Sequence, residues 1–145
     1  QVGGAGARTD EMDVTGRCHC GAISYRASID PEKVNICHCT DCQRLTGAAY
    51  RVSVPAPAET FKLLSGKPKT YIKTADSGAK RVHSFCPDCG SPVYATALGD
   101  NPPSYSLRVG ALDQRASLPP RRQIWCKSAV PWSADIKDIP GIERQ

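Results

Sequence analysis

Seven of the eight cysteines in this 145-residue chain fall into three short groups. The groups are Cys18-His-Cys20, Cys37-His-Cys-Thr-Asp-Cys42 and Cys86-Pro-Asp-Cys89. Two of them contain cysteines separated by a single residue, a spacing that lets sulfurs converge on one metal ion but would strain a disulfide between them. The cysteine pattern therefore favours two zinc ions over a disulfide framework, and with them a cytoplasmic, reducing compartment.

The seven cysteines divide into a set of four and a set of three. The Cys-Pro-Asp-Cys-Gly turn has the form of a zinc knuckle, which supplies two ligands of a tetrahedral site. The other half should come from a two-cysteine group, and the first group is the only one of that kind. The predicted closed, structural zinc site is therefore Cys18, Cys20, Cys86 and Cys89.

The remaining set, Cys37, Cys39 and Cys42, predicts a catalytic zinc. Three protein ligands leave one tetrahedral position for water or a substrate. Three thiolates make the ion a poor activator of water, so we expect a thiol in that position, whose sulfur then attacks a small electrophile. A fourth protein ligand would instead close the site, and the candidates for it are His19, His38, His83 and Cys126.

Alternation of apolar and polar residues predicts strands along most of the chain. The predicted strands are 21–29, 51–54, 60–64, 70–73, 79–85, 91–96, 104–109 and 123–127. One short helix is predicted after the second cysteine group, with Thr40 as N-cap, Asp41 in its first turn and Gly47 at its end. The expected fold is mainly β: a small multi-sheet domain with a zinc-knuckle hairpin and at most short helices.

Length and composition are those of one globular domain, with 40% hydrophobic and 23% charged residues. We expect a mobile leader at residues 1–13, the domain at 14–137 and a tail at 138–145. The net charge of +5 is spread along the chain without a basic run, so nucleic-acid binding is not expected. The sequence has no apolar stretch long enough to span a membrane and no pattern of a secretory signal.

The cysteine motifs resemble those of a known family, the glutathione-dependent formaldehyde-activating enzymes. The matching stretches are Gly-Arg-Cys-His-Cys-Gly at 16–21, Cys-His-Cys-Thr-Asp-Cys-Gln-Arg at 37–44 with Gly47, and Phe-Cys-Pro-Asp-Cys-Gly-Ser-Pro at 85–92. Residues 109–113 and 124–132 resemble the family's C-terminal segments. Two positions differ from the family pattern: Gln123 replaces a usual histidine, and Cys126, expected as a small buried strand residue, follows the Ile-Trp pair.

The resemblance implies a fold of small sheets shared with zinc-binding Rab-exchange chaperones, and it implies the same division of the cysteines. It further implies two zinc ions per chain and a glutathione sulfur that binds the second zinc and adds to formaldehyde. The product would be S-(hydroxymethyl)glutathione, and the reaction class carbon-sulfur lyase in its synthetic direction. Two alternatives remain: a noncatalytic zinc module, like the centromere protein V branch, that binds a macromolecule, or an enzyme of this type acting on a specialised metabolite.

Glutathione carries two carboxylates, so residues that bind it should be cations or amides near the three-cysteine group. The candidates closest in sequence are Arg44, Thr40 and Gln43. Arg51 and Arg108 are further candidates. Trp125 and Trp132 are expected in the core rather than in the wall of a substrate cavity. The expected partners are thus a small-molecule thiol and a small electrophile.

Overall fold

Two β-sheets make up most of the computed structural model, which describes residues 11–145. The strands are β1 (Met12–Arg17), β2 (Ser24–Ile29), β3 (Asn35–Cys37), β4 (Arg51–Pro57), β5 (Lys62–Ser65), β6 (Lys69–Thr74), β7 (Lys80–Phe85), β8 (Pro92–Ala97), β9 (Ser104–Arg108) and β10 (Arg122–Ile124). The smaller sheet has the order β1-β2-β5, and the larger has the order β10-β3-β4-β9-β8-β7-β6. Neighbouring strands are antiparallel except for β10 and β3.

The core lies between the two sheets. Along β2, the buried side chains of Tyr25, Ala27 and Ile29 alternate with more exposed ones, as expected for a strand with one face in the core. Val54 and Ala56 contribute the matching apolar face of β4. Both sheets therefore share one hydrophobic core, and a mainly β domain is the fold that the sequence predicts.

The helix α1 (Thr40–Thr46) lies beside the other face of the seven-stranded sheet, where Leu45 lines a cavity together with Arg51, His83 and Arg108. Asp41 of α1 forms an ion pair with Lys73 of β6 at 3.0 Å, which ties the helix to the far side of the sheet. The helix ends as predicted at Gly47, whose φ is 64°. Its N-cap, however, is Cys39 and not Thr40, because the Cys39 sulfur accepts a hydrogen bond from the backbone amide of Cys42 in the first turn of the helix.

The last predicted strand, 123–127, is wrong in its second half. β10 ends at Ile124, because its neighbour β3 offers only three residues to pair with. Trp125 then takes a left-handed conformation, with φ at 58°, and turns the chain into a 3₁₀ turn at Cys126–Ser128. Cys126 is consequently exposed rather than buried in a strand, and Trp125 and Trp132 are 51% and 59% exposed rather than in the core.

The ends of the predicted domain are set by β1 and by an irregular C-terminal segment. Most of the predicted leader, 1–13, lies outside the described residues, but Met12 and Asp13 belong to β1 and pair with Ile29 and Ser28 of β2. Residues 138–145 are exposed and contain neither helix nor strand. Within residues 11–145, no helix is long and apolar enough to cross a membrane.

Candidate metal centre and the cavities beside it

Two chain turns bring four cysteines together where the two sheets meet. Cys18 and Cys20 follow β1 of the smaller sheet, and Cys86 and Cys89 follow β7 of the larger one. In each turn, backbone amides donate to the sulfur of the first cysteine, from Ile23 to Cys18 and from Asp88 and Cys89 to Cys86. These amides orient the sulfurs and leave them able to bind a metal.

A glycine follows each pair and lets the turn close. Gly21 and Gly90 have φ values of 83° and 80°, which side chains other than glycine rarely adopt. Each glycine amide donates to the carbonyl of the first cysteine of its turn, at 3.1 Å for Gly21 and 2.8 Å for Gly90. The two turns thus present their sulfurs in a similar way, which the local sequence determines.

The spacing of the four sulfurs fits zinc and does not fit a disulfide. The sulfur atoms of Cys18 and Cys20 are 3.6 Å apart, and those of Cys20 and Cys86 are 3.7 Å apart. Four sulfurs at about 2.3 Å from a tetrahedral zinc would be about 3.8 Å from each other, whereas bonded sulfurs are about 2 Å apart. All eight cysteines are free thiols, and this group is compatible with a closed tetrahedral zinc site.

Without a metal, the thiols of this group would not ionise together. Hydrogen bonds from the side chain and backbone of Ser91 lower the pKa of Cys89 to about 5. The pKa of Cys20 is raised to about 12: its hydrogen bond with the Ala22 backbone lowers it, but the hydrogen bond with the Cys18 thiol and burial outweigh that effect. A dication that binds all four thiolates must displace protons, so metal affinity rises with pH.

The second cysteine group lies at the junction of β3 and α1. Cys37 is the last residue of β3, Cys39 caps the helix, and Cys42 lies in its first turn. Their three sulfur atoms lie within 4.8 Å of one another. The donor set of three thiols is compatible with zinc, and no fourth His, Cys, Asp or Glu among residues 11–145 joins the cluster.

His38 and Cys126, two of the candidate fourth ligands, do not join the cluster of three sulfurs. The Nε2 atom of His38 lies 2.7 Å from the Oε1 atom of Gln123, and the ring packs edge-on against Tyr50. Gln123, which replaces a histidine of the family pattern, therefore holds His38 by a hydrogen bond. Cys126 is exposed in its 3₁₀ turn, outside the cluster of three sulfurs.

Arg51 connects the three-cysteine group to the seven-stranded sheet. It lies directly opposite Cys37 in the pairing of β4 with β3, and its Nε donates to the Cys42 sulfur at 3.4 Å. Burial raises the pKa of Cys42, but the hydrogen bond and charge of Arg51 outweigh it, so the pKa is lowered overall. Burial raises the pKa of Cys37 to about 12. Arg51 thus favours the thiolate form of one of the three sulfurs.

The substrate residues that the sequence favours are not the ones that line the cavities nearby. Arg44 and Thr40 are exposed on α1. The side-chain amide of Gln43 donates to the carbonyls of His38 and Ser128, at 2.8 and 3.0 Å, so it holds the helix to the C-terminal segment. The residues of α1 that line these cavities are instead Leu45 and Thr46.

Two cavities adjoin Arg51, and Arg108 lines both. The first, of about 550 Å³, is lined by four arginines and reaches toward Cys18; we call it the four-arginine cavity, and its arginines are Arg17, Arg51, Arg108 and Arg115. The second, of about 350 Å³, lies between α1 and the sheet; we call it the histidine cavity, and its polar residues include Arg51, His83 and Arg108. Both cavities are rich in cations.

Sequence reasoning did not identify Arg17 and Arg115 as neighbours of the site, and it considered His83 only as a possible zinc ligand. It ranked Arg51 and Arg108 behind Arg44. Arg51 and Ser53 are two positions apart on β4, and Ser106 and Arg108 are two positions apart on β9. Residues with this spacing share one face of a strand, so both arginines lie on the polar face. That signal was available in the sequence. The strand order that brings β4, β9 and β7 together was not.

Comparison with known families gives a match over most of the chain. The sequence model of the family described as "Glutathione-dependent formaldehyde-activating enzyme" matches residues 13–128. A relative from Halomonas elongata, named "Putative glutathione-dependent formaldehyde-activating enzyme", is 31% identical over 88 residues. The aligned part covers 57% of this chain and 55% of the relative, so the chain matches only about half of that protein's length.

Comparison with solved structures supports the fold alone. The crystal structure of a Rhodobacter sphaeroides protein superposes with a TM-score of 0.58 and 20% sequence identity. The superposition covers 75% of this chain and 98% of that one. The arrangement of sheets described above therefore occurs in a protein of distant sequence.

Proposed function

Because the chain belongs to the family of glutathione-dependent formaldehyde-activating enzymes, we propose that it is a zinc enzyme of the carbon-sulfur lyase type. It would join the thiol of glutathione to formaldehyde or a related small electrophile. The zinc ion of the reaction would be held by Cys37, Cys39 and Cys42. A second, structural ion would be held by Cys18, Cys20, Cys86 and Cys89.

The observation that carries the proposal is the difference between the two cysteine groups. Four sulfurs in one group can complete a tetrahedral site, whereas the other group offers three and no further protein ligand within residues 11–145. One coordination position is then left for a substrate. A thiol substrate suits an all-sulfur donor set better than water does.

The chemistry is an addition in which no group is oxidised or reduced. The zinc ion would supply a lowered pKa for the incoming thiol while leaving its sulfur nucleophilic. In the addition, the S–H bond breaks, a bond forms between sulfur and the carbonyl carbon, and the carbonyl oxygen takes up a proton. The product is a hydroxymethyl thioether, and the reverse reaction releases the aldehyde and the thiol.

The residues of the chain contribute charge and orientation. Arg51 donates to the Cys42 sulfur and so offsets part of the negative charge of the thiolates. The four-arginine cavity would accept the carboxylates of glutathione, with Arg17 and Arg115 at its rim. Asp113 is the one acidic residue that lines this cavity, and it accepts a hydrogen bond from Thr15 at 2.6 Å. The cavity is therefore suited to an anionic thiol.

Spectroscopy of the cobalt-substituted protein tests whether a thiol enters the three-cysteine site. Cobalt bound to thiolates has sulfur-to-metal charge-transfer bands that respond to a change of ligand. We expect glutathione to change these bands saturably. S-methylglutathione has the same carboxylates but no free thiol, and it should leave them unchanged. Unchanged bands with glutathione, or equal changes with both compounds, would contradict the proposal.

Reaction itself can be followed with ¹³C-labelled formaldehyde. Formaldehyde and glutathione combine slowly without a catalyst, so the quantity to measure is the rate of exchange between free and thiol-bound formaldehyde by NMR. We expect the zinc-loaded protein to raise that rate, and Cys39→Ser to return it to the uncatalysed value. Cys126→Ser, which alters an exposed thiol outside both groups, is the matched control and should remain active.

A further inference from the structure

Three polar side chains that line the histidine cavity, those of Arg51, His83 and Arg108, lie on one face of the seven-stranded sheet. Arg51 and Ser53 share a face of β4, and Ser53 pairs with Arg108 of β9. Ser106 lies on the same face as Arg108 and aligns through β8 with His83 of β7. The two arginines and the histidine therefore stand close together beneath α1.

Hydrogen bonds within this cluster use some of its donors and leave others without a partner among residues 11–145. Arg108 donates from Nη1 to the hydroxyls of Ser53 and Ser106, at 3.0 and 3.2 Å, and its Nη2 lies 3.1 Å from Nδ1 of His83. A guanidinium can only donate, so Nδ1 of His83 accepts and Nε2 carries the proton. His83 is thus a neutral ring with its remaining N–H directed elsewhere.

Three of these donors are buried and have no hydrogen-bond partner in the described part of the chain. They are Nη2 of Arg51, Nε of Arg108 and Nε2 of His83. Arg51 and Arg108 are only 6% and 8% exposed, so bulk water does not reach them freely. Buried donors are normally paired, and three unpaired ones around one cavity indicate a missing acceptor.

The charges around the histidine cavity also favour the binding of an anion. Within the described range, 11–145, no Asp or Glu lines the histidine cavity. Burial and the nearby charge of Arg51 lower the pKa of Arg108 to about 9. Asp41 of α1 is paired with Lys73, and Arg81 adds a further cation beside His83 on β7. An anion in the cavity would relieve this repulsion and satisfy the donors at once.

We propose that Arg51, Arg108 and His83 form a binding site for a carboxylate group of a substrate that reacts at the three-cysteine site. A carboxylate is planar, offers two acceptor oxygens, and matches the fork of a guanidinium. Arg51 joins this site to the sulfur of Cys42, so a ligand held here lies beside the reacting thiol. The assignment of the carboxylate to a substrate rests on the proposed function, whereas the anion site itself does not.

Two sources of the carboxylate fit this chemistry. One is the thiol, since glutathione carries two carboxylates. The other is the electrophile, which would then be an aldehyde that bears an acid group and not formaldehyde itself. Two pairs of ligands, each with one member that carries carboxylate and one that carries none, separate the two sources: glutathione against cysteamine for the thiol, and glyoxylate against acetaldehyde for the electrophile.

The experiment combines NMR and calorimetry on the zinc-loaded protein. The Cε1 proton of His83, identified by its loss in His83→Gln, reports directly on the cavity of the wild type. Dissociation constants for the four ligands are measured for the wild type and for Arg108→Met. Arg108→Lys, which keeps the charge but loses the fork, provides a second variant if Arg108→Met fails to fold. Arg81→Gln removes an arginine from the same sheet face outside the cavity and is the control.

We expect glyoxylate or glutathione to shift the His83 resonance saturably. We also expect Arg108→Met to weaken the carboxylate-bearing member of one pair about tenfold or more, and its partner less than about threefold. The affected pair identifies the source. No saturable shift with either carboxylate ligand, or equal weakening within both pairs, would overturn the anion site. A response to glyoxylate in a protein that binds neither thiol would keep the site and reject the proposed function.

Discussion

At the scale of single residues, Arg108 and His83 show how burial sets the charge state of a group. Burial and the neighbouring cations Arg108, Arg51, Lys73 and Arg81 lower the pKa of His83 to about 4. The ring is therefore neutral near pH 7 and accepts a hydrogen bond from Arg108. Its protonation would add a further charge to a cationic region and remove that acceptor.

The lowered pKa of His83 predicts that the free energy of unfolding depends on pH. An unfolded histidine has a pKa of about 6.5, so protonation favours the unfolded chain as pH falls from about 6.5 to about 4. The contribution of His83 is fully present above that range and lost below it. His83→Gln should make the fall in the free energy of unfolding shallower in this range, measured by urea denaturation at several pH values. Equal slopes for both proteins would contradict the assigned pKa.

The zinc content of the protein depends on single cysteines. Cys39→Ser removes a sulfur from the three-cysteine group but leaves a hydroxyl that can still cap α1. We expect the zinc content to fall from two ions to about one per chain, with an unchanged circular dichroism spectrum. Cys126→Ser should retain both ions. Two ions in the Cys39 variant, or one in the Cys126 variant, would show that the ligands are assigned wrongly.

The clustering of the seven cysteines could be predicted from sequence because each of the three cysteine motifs is local, with all its members within six positions. The cations beside them could not. Arg51 and Arg108 are 57 positions apart in the chain and meet only because β4 pairs with β9. Arg44 is nearer in sequence but is exposed on the helix, so proximity along the chain is a poor guide to this cavity.

At the scale of elements, the short strands are the ones that alternation of apolar and polar residues does not predict. Strands such as β2 and β8 could be predicted from alternation or apolar runs. β1 contains Gly16, and β3 and β10 have three residues each, too few for a period to emerge. Gly16 lies against the ring of Tyr25, which is fully buried between Phe61 and Tyr94.

This contact predicts that Gly16→Ala is destabilising. A methyl group at residue 16 would overlap the Tyr25 ring, which cannot move without disturbing its aromatic neighbours. We expect a loss of about 1–3 kcal/mol in the free energy of unfolding, measured by urea denaturation in excess zinc. Gly110→Ala is the control, because nothing lies within 4 Å of its added methyl group. Equal stability of the two variants would contradict the packing described here.

At the scale of the whole molecule, the four-cysteine group links the two sheets. Cys18 and Cys20 follow a strand of the smaller sheet, whereas Cys86 and Cys89 lie between two strands of the larger one. An ion there joins segments 66 residues apart, as between Cys20 and Cys86. The three-cysteine group joins only β3 and α1, which are adjacent in sequence. The four-cysteine site therefore closes a much longer loop than the three-cysteine site. We expect its ion to contribute more to the stability of the fold.

The two groups should accordingly differ in their effect on stability. We expect Cys89→Ser to lower the free energy of unfolding by about 3 kcal/mol or more, since it opens the link between the sheets. Cys39→Ser should cost clearly less. Urea denaturation of both variants in excess zinc provides the comparison. A larger loss for Cys39→Ser would mean that the three-cysteine site, and not the other, holds the fold together.

The proposed reaction requires the three-cysteine site to accept the sulfur of a substrate thiol. A crystal structure of the zinc-loaded protein with glutathione tests it most directly. We predict an ion held by Cys37, Cys39 and Cys42, with the glutathione sulfur as its fourth ligand at about 2.3 Å. A fourth ligand from the protein itself, or a glutathione sulfur away from that ion, would contradict the account.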